Sequence, residues 1–527
     1  MSICRIPHCS LHDATRQWAV SSRRCCRPSA PHSIRAPTMM REPSCSTALR
    51  SSTGQGAGLR RVSPLDGARS WRRSRRAIVC GIAMHVLVAL FAYWPRCSDA
   101  LDAPPAPLPY TVGGQTTVVW QYHPRFHSPY EGSESLHHEH DDAVSHSYDL
   151  YVGVRVLPWL DLYVNPEMIR GGGVGGGIGL AGYTNGEVIR NPQAGQDPFL
   201  SRAFLRATLP LGDARETVGG DLLQIAGERP TRRLVLTGGV LGTTDVFDTN
   251  RYASSTRTEF LNWSFITNTA YDFAADTRGY TRGAALEWID ERWTLRLGAF
   301  QMPTIANGVD LDGDLLHSHG DQAELELRPR LWPDRPTVVR LLGYVNHARM
   351  GSYREALALA AREGTTPDVT ATRRRGRVKD GVTVNVEQPI TAGGETGLFA
   401  RGGWNDGHTE TFAYTEADWT ASLGLQLGGA AWHRAGDRVG VAVAANGLSD
   451  PHADYLARGG VGFELGDGRL RYRPETVLEL YYLLRPLPWI ALTADYQLIV
   501  DPGSNADRGP VSVVGVRLHL EGTIGHG

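Results

Sequence analysis

The chain has 527 residues, with 54 Lys and Arg against 55 Asp and Glu, 60 Gly, 31 Pro and 7 Cys. The near-neutral sum hides a split: residues 1–100 hold 16 Arg, only four acids (Asp13, Glu42, Asp66, Asp99) and all seven Cys, leaving 38 bases and 51 acids in a thiol-free remainder. That remainder has no disulfide framework, thiolate zinc site or cysteine nucleophile. Its acidity argues against non-specific nucleic-acid binding, and the single lysine, Lys379, leaves no phosphate-cradling Walker loop.

Residues 1–70 are rich in Ser, Arg, Pro and Cys and show no sustained period. They read as disordered, or as upstream sequence ahead of the true start. Arg72, Arg73, Arg75 and Arg76 then precede an apolar stretch from Ala77 to Trp94, and Ser98-Asp99-Ala100 places small residues at a cleavage site. Residues 71–100 therefore read as a secretory signal peptide. Residues 101–114, with Ala103-Pro104-Pro105-Ala106-Pro107, read as a flexible mature N-terminus. After residue 101 no apolar run approaches the roughly 18 residues of a membrane helix.

From residue 115 to 520 the dominant pattern is alternation with period 2, the mark of strands with two unlike faces. Tyr148, Leu150, Val152, Val154 and Val156 oppose Asp149, Tyr151, Gly153 and Arg155. After the turn at Leu157-Pro158-Trp159, Leu160, Leu162 and Val164 oppose Asp161, Tyr163 and Asn165. Similar runs cover 293–300, 382–387, 419–428, 439–446, 490–500 and 514–520. Units of about ten residues are long for soluble sheets, where five or six is usual. Charges on the second faces (Asp149, Arg155, Arg296, Glu387, Asp495, Arg517) would cost several kcal/mol each in a dry core. Aromatic residues gather at strand ends (Trp159, Tyr163, Trp288, Trp293, Trp332, Trp419, Tyr481, Tyr482, Trp489), as in interface girdles. The pattern predicts an all-β transmembrane antiparallel barrel of about 16 strands, apolar outside and wet inside. A soluble β-protein with the faces reversed is the competing reading. Gly171–Gly182 reads as a flexible connection. Ser352–Arg362 reads as a short helix on one loop, with Ser352 and Glu355 spaced as a capping box.

Several stretches resemble the OprB-type carbohydrate-selective porins of Gram-negative outer membranes. They are Trp120-Gln121-Tyr122-His123-Pro124-Arg125-Phe126-His127-Ser128-Pro129-Tyr130-Glu131-Gly132, Asp245-Val246-Phe247-Asp248-Thr249-Asn250-Arg251-Tyr252-Ala253 and Phe260-Leu261-Asn262-Trp263. Glu479–Tyr482, Tyr496-Gln497 and Asp507-Arg508-Gly509-Pro510-Val511-Ser512 extend the resemblance toward the end of the chain. It implies a sixteen-stranded barrel, passive sugar diffusion through the outer membrane, and a constriction of inward-folded loops bearing charged and aromatic residues. The expected partners are carbohydrate solutes, outer-membrane lipid and lipopolysaccharide, the assembly machinery and, in a homotrimer, further copies of the chain. Such barrels usually end in an aromatic residue. Here residues 521–527 follow the last alternating strand and read as a tail.

A sugar channel needs aromatic faces for the apolar side of a pyranose and charged groups for its hydroxyl rim. On that ground the pore-lining candidates are Trp120, Arg125, Tyr130, Glu131, Asp245, Asp248, Asn250, Arg251, Glu259 and Trp263. Against this, the Trp residues suit a girdle, and Asp248 and Asn250 suit a turn. No cofactor is expected. The His-rich loop 137–146, with His137, His138, His140 and His146, raises a metal-binding or general-diffusion barrel as an alternative, without the spacing of a rigid tetrahedral site. Asp310, Asp312, Asp314 and Asp321 recite a calcium loop imperfectly, since Leu315 stands where glycine is needed. Ser145-His146 and Ser318-His319 supply hydrolase residue types with no nucleophile elbow, so an enzyme is not expected. Arg373, Arg374, Arg375 and Arg377 read as a solvated patch or a contact to lipopolysaccharide phosphates.

Overall fold

A computed structural model describes residues 108–527 except Pro333. The upstream extension, the signal peptide and most of the free N-terminus read above lie outside the described residues. Eighteen strands form among the described residues. They are β1 (Tyr110–His123), β2 (Asp141–Leu157), β3 (Leu160–Gly171), β4 (Phe199–Pro210), β5 (Arg215–Val218), β6 (Gly227–Pro230), β7 (Arg233–Leu241), β8 (Thr281–Ile289) and β9 (Trp293–Gln301), followed by β10 (His319–Leu327), β11 (Val338–Met350), β12 (Arg374–Pro389), β13 (Gly397–Asn405), β14 (Trp419–Gly428), β15 (Arg438–Gly447), β16 (Glu475–Leu487), β17 (Ile490–Val500) and β18 (Val511–His526).

All but β5 and β6 join one closed sixteen-strand antiparallel barrel. Neighbours in sequence pair, β4 pairs with β7, and β18 closes on β1 from Tyr122↔Val514 to Tyr110↔His526. Closure leaves no unpaired strand edge, which hydrocarbon would not tolerate. It also revises both expected ends. β1 already begins at Tyr110, and residues 521–526 extend β18 along β1 instead of trailing as a tail.

The faces are oriented as a membrane requires. On β18, Val514, Val516 and Leu518 lie on the outer surface at 40, 44 and 38% exposure, while Arg517 between them is fully buried inside. Leu150, Leu297, Leu341, Leu423, Leu480 and Leu492 are likewise exposed outward. In water each such side chain would forgo roughly 1.5–3 kcal/mol of burial. Acyl chains remove that cost, and the reversed, soluble reading fails. Outward Trp and Tyr form two belts. Trp288, Trp332, Tyr482 and Trp489 lie toward one end of the barrel, Trp120 and Trp404 toward the other. Tyr163 and Tyr481, expected in a belt, point inward and are 1% exposed.

One end has tight turns, such as 158–159, 290–292 and 488–489, and holds both described termini. The other carries the long connections 124–140, 172–198, 242–280, 351–373, 406–418 and 448–474. Short turns face the periplasm and long loops the exterior in such barrels. Segment 242–280 turns inward and fills part of the lumen with Phe247, Tyr252, Phe260, Phe265 and Tyr271, all fully buried. Its one helical turn, α1 (Trp263–Ile266), starts at Asn262, whose side chain accepts the Ser264 N–H at 2.9 Å.

The expected loop helix is α2 (Tyr353–Glu363), ended by Gly364 at φ +69°. Only half of its capping box forms. Ser352 Oγ accepts the Glu355 N–H, but the Glu355 carboxylate turns to Arg374 and Arg377, and the Ser352 N–H donates to Thr372. α2 packs its Tyr353 against His452 and Tyr455 of α3 (Asp450–Ala457), with ring centroids 4.3 and 5.1 Å apart. The glycine-rich connection is built in rather than free. Gly179, at φ +80°, lies so close to Leu136 that a Cβ would stand 1.8 Å from its backbone nitrogen.

Candidate functional site

The inward charges do not face open water uniformly. They hold the inward-folded segments by the main chain. Glu324 on β10 accepts the Asp248 N–H at 2.8 Å, and Glu387 on β12 accepts the Arg251 N–H at 2.6 Å. Glu479 on β16 takes the N–H groups of Leu261 and Asn262 at 2.6 and 3.0 Å. Glu475 takes those of Ala181, Gly182 and Gly503. Arg517 donates to the carbonyls of Thr256 and Glu259, and Arg401 to those of Ala253 and Phe265. The expectation that Asp149, Arg155, Asp495 and Arg517 surround one water-filled interior is therefore corrected. All four point inward, but Asp149, Asp495 and Arg517 are buried, Arg517 against the carbonyls of Thr256 and Glu259.

A cavity of about 330 Å³ stays open against β3 and β4. The inward rows of these strands present Glu167 and Arg202. Segment 242–280 presents Asp245, Arg257, Trp263 and Tyr280, connection 172–198 presents Glu187 and Arg190, and connection 406–418 presents Tyr414. Arg257 meets Asp149, Glu167 and Glu187 at 2.9, 3.1 and 3.2 Å. Arg202 is bidentate to Asp245, with both contacts at 2.7 Å, and lies over the Tyr280 ring. The Tyr280 hydroxyl donates to Glu167 at 2.5 Å. Trp263 and Tyr414 stack with centroids 5.3 Å apart, and the Arg190 guanidinium covers Trp263 at 5.1 Å. The cavity thus offers charge-assisted donors and acceptors beside aromatic faces, the two group types a hydrated pyranose requires.

A second charged row follows the wall: Glu287, Arg296, Glu324, Glu326, Arg340 and Glu387 on β8–β12. Arg296 contacts Glu287, Glu324 and Glu326 at 2.7–3.0 Å, and Arg340 bridges Glu326 and Glu387 at 3.0 Å each. These charges, unpaired along their own strands, find partners across the sheet.

Among the sequence candidates, Asp245, Asp248 and Trp263 border the cavity. Asp248 is committed to Arg401 and to the Thr267 hydroxyl, Asn250 to Asn385, and Glu259 to the N–H groups of Ser254 and Ser255. Arg251 reaches the Gly393 carbonyl. Trp120 lies on the outer face, parallel to Tyr122 at 6.5 Å, not in the lumen. Arg125, Tyr130 and Glu131 belong to the exterior loops. Arg125 pairs with Glu139, Tyr130 donates to Asp507 beneath Arg469, and Glu131 holds His137 and His138. Glu167, Arg202 and Tyr280 were not singled out. Continuing the alternation from Tyr163 and Asn165 would have placed Glu167 inside. Nothing local marks Arg257.

The histidine tract is dispersed. His137 and His138 fold onto Glu131, while His146 lies edge-on to Tyr148 on β2. Among the described residues no group of three His, Cys, Asp or Glu is placed to hold a metal ion, and the metal-binding alternative is not favoured. Ser145 and His146 point to opposite faces of β2, so they form no catalytic pair.

Above the lumen the exterior loops meet at a buried acidic cluster. Glu464 takes the Glu416 N–H at 3.0 Å, Glu416 takes those of Glu464 and Leu465 at 3.0 and 2.6 Å, and Arg190 reaches Glu464 at 3.1 Å. Burial, with Glu416 adding to it and Arg190 opposing, pushes the Glu464 carboxyl up to about 8. Burial and Glu416 push Glu134 up to about 7. Burial also works against the Asp418 charge, but His452, with Nδ1 at 3.0 Å, holds it down at about 2.

A closed sixteen-strand barrel with an apolar exterior, aromatic belts and a charged, loop-narrowed lumen is an outer-membrane diffusion channel. The model of the carbohydrate-selective porin, OprB family, matches residues 133–521, and the chain belongs to that family. It passes carbohydrates by diffusion and is not an enzyme. The high-pH structure of Pseudomonas putida OprB has the same fold at 16% identity, covering 79% of this chain and 94% of that one with a TM-score of 0.58. The low-pH structure of the same protein and the Acinetobacter baumannii channel DcaP align at TM-scores of 0.39 and 0.44, with 13% and 10% identity, each over 92% or more of its own length and 78–79% of this chain. No curated protein sequence matches.

Proposed function

We propose that sugars cross at the cavity beside β3 and β4. There Trp263 and Tyr414 offer an aromatic face, and Arg202, Asp245, Arg257 and Glu167 exchange hydrogen bonds with the passing hydroxyls. The stacked Trp263–Tyr414 pair opposite the bidentate Arg202–Asp245 pair carries this reading. Each group is already partnered, so a sugar trades hydrogen bonds rather than gaining them, and binding stays weak enough for release. The test is sugar influx into liposomes holding the purified channel. Trp263→Ala is expected to raise the half-saturating glucose concentration several-fold while ion conductance holds or rises. An unchanged half-saturation would place the path elsewhere. At the exterior rim, Arg374 and Arg375, 72 and 65% exposed, suit contacts to lipopolysaccharide phosphates. Insertion by the outer-membrane assembly machinery and association as a homotrimer complete the proposal.

A further inference from the structure

The connection between β4 and β7 spans residues 211–232, far longer than the two- and three-residue turns beside it on the periplasmic end. It carries the β5–β6 hairpin, paired from Arg215↔Pro230 to Val218↔Gly227. Its tip does not hang free. The Asp221 carbonyl accepts the hydroxyl of Thr111, an inward residue of β1, at 3.0 Å, and the Leu223 carbonyl accepts from Arg206 at 2.9 Å. Ile225 is 2% exposed and packs with Tyr163 and Phe204. The apolar tip is therefore seated inside the periplasmic mouth.

Between tip and wall lies a second cavity of about 270 Å³. It lies on the same strip of wall as the first. Along β3, Glu167 borders the upper cavity while Tyr163 and Asp161 border the lower; along β4, Arg202 borders the upper and Arg206 the lower. Four residues of strand separate Glu167 from Tyr163, about 13 Å. A solute leaving the first cavity toward the periplasm meets the second.

The two differ in charge. The upper is bordered by five carboxylates and four guanidinium groups, the lower by Arg155, Arg206, Arg215 and Arg229 against Asp161 and Glu228. Arg155 is neutralised by Asp161 at 2.8 Å. Arg206 is held over the Tyr163 and Phe204 rings at 5.0 and 5.2 Å, and among the described residues no carboxylate is in contact with it. Arg229 shares Glu216 with Arg233, its Nε at 3.4 Å against 2.9 Å for Arg233, and donates to Gln224 at 3.1 Å. Burial chiefly, then Arg233 and Arg206, with Glu216 opposing, push the Arg229 guanidinium below its ordinary value.

We infer that this lower cavity is an exit subsite that recognises sugars bearing an anionic group, with Arg206 and Arg229 as its donors. The inference rests on the sugar-channel reading and adds a substrate class to it. A carboxylate there meets two guanidinium groups lacking full counter-charge, at a site whose volume suits one small solute.

The experiment compares glucuronate with glucose influx in liposomes containing the channel purified from outer membranes. The wild-type ratio is expected to exceed one. Arg206→Gln with Arg229→Gln should lower it about fivefold, two charges each acting through water at ~8 Å. Glu228→Gln, an exposed position whose change leaves the fold intact, should raise it. High salt should compress all ratios toward one. Ratios that do not move in either set of variants overturn the exit subsite alone. Glucose influx no faster than that of a size-matched polyol overturns the channel reading with it.

Discussion

Arg257 is the point where the inward segment is pinned to the barrel wall, and its removal is a quantitative test of how the lumen is narrowed. Its guanidinium holds Asp149 of β2, Glu167 of β3 and Glu187 of the β3–β4 connection within 3.2 Å. In Arg257→Ala those three carboxylates face one another without a counter-ion. Removing one partner of a buried pair costs about 3–5 kcal/mol. Arg257 keeps 20% side-chain exposure, so about 3 kcal/mol applies, a factor of ~100 in the closure of residues 254–262 over the wall. The barrel itself stays intact, because the sixteen ladders do not involve this contact. Single-channel recordings in planar bilayers should then show larger conductance with flicker between levels, and Arg257→Lys should fall between the variant and the wild type. Wild-type conductance and noise in Arg257→Ala would refute the pinning role and the low-end figure together.

The loop cluster should respond to pH. Glu464 carries its proton in the closed loops, so its contribution to closure is complete below the free carboxyl value near 4.5 and is lost as pH rises toward about 8. Amide exchange at residues 460–465 should quicken between pH 5 and 8 beyond its intrinsic rate, and Glu464→Gln should remove the dependence, in a setting where Arg190, Glu416, Glu134, Glu475 and His452 are the facing ionisable side chains. Gly179→Ala forces both a positive φ and a clash with Leu136, at a cost of about 1–3 kcal/mol or more, read as earlier proteolysis of the 172–198 connection at unchanged barrel melting. Trp120→Ala touches only the outer face, so sugar influx should hold while the melting temperature of the barrel falls. A fall in influx alone would return Trp120 to the lumen.

Alternation carried the fold because a strand with one face in hydrocarbon and the other on a charged lumen has no freedom in its period. Leu492 and Asp495, or Val516 and Arg517, cannot exchange faces. The β14 and β17 boundaries coincide with the alternating runs for the same reason. The lumen was less legible. Whether Tyr163 or Tyr481 forms a belt or a core depends on which face carries it, and an aromatic name alone does not say. Arg257 and Glu167 lie 90 positions apart and meet only because segment 242–280 turns inward. Asp248, Asn250 and Glu259 have the chemistry of a sugar site, yet their hydrogen bonds shape the segment itself.

Glu324, Glu387 and Glu479 seize that segment through peptide N–H groups and not through its side chains. A fastening of this kind is indifferent to residue identity. Trp263 can be exchanged for another filter residue while Glu324, Glu387 and Glu479 keep the ribbon at the same height, so one frame can be refitted for a different cargo without being rebuilt.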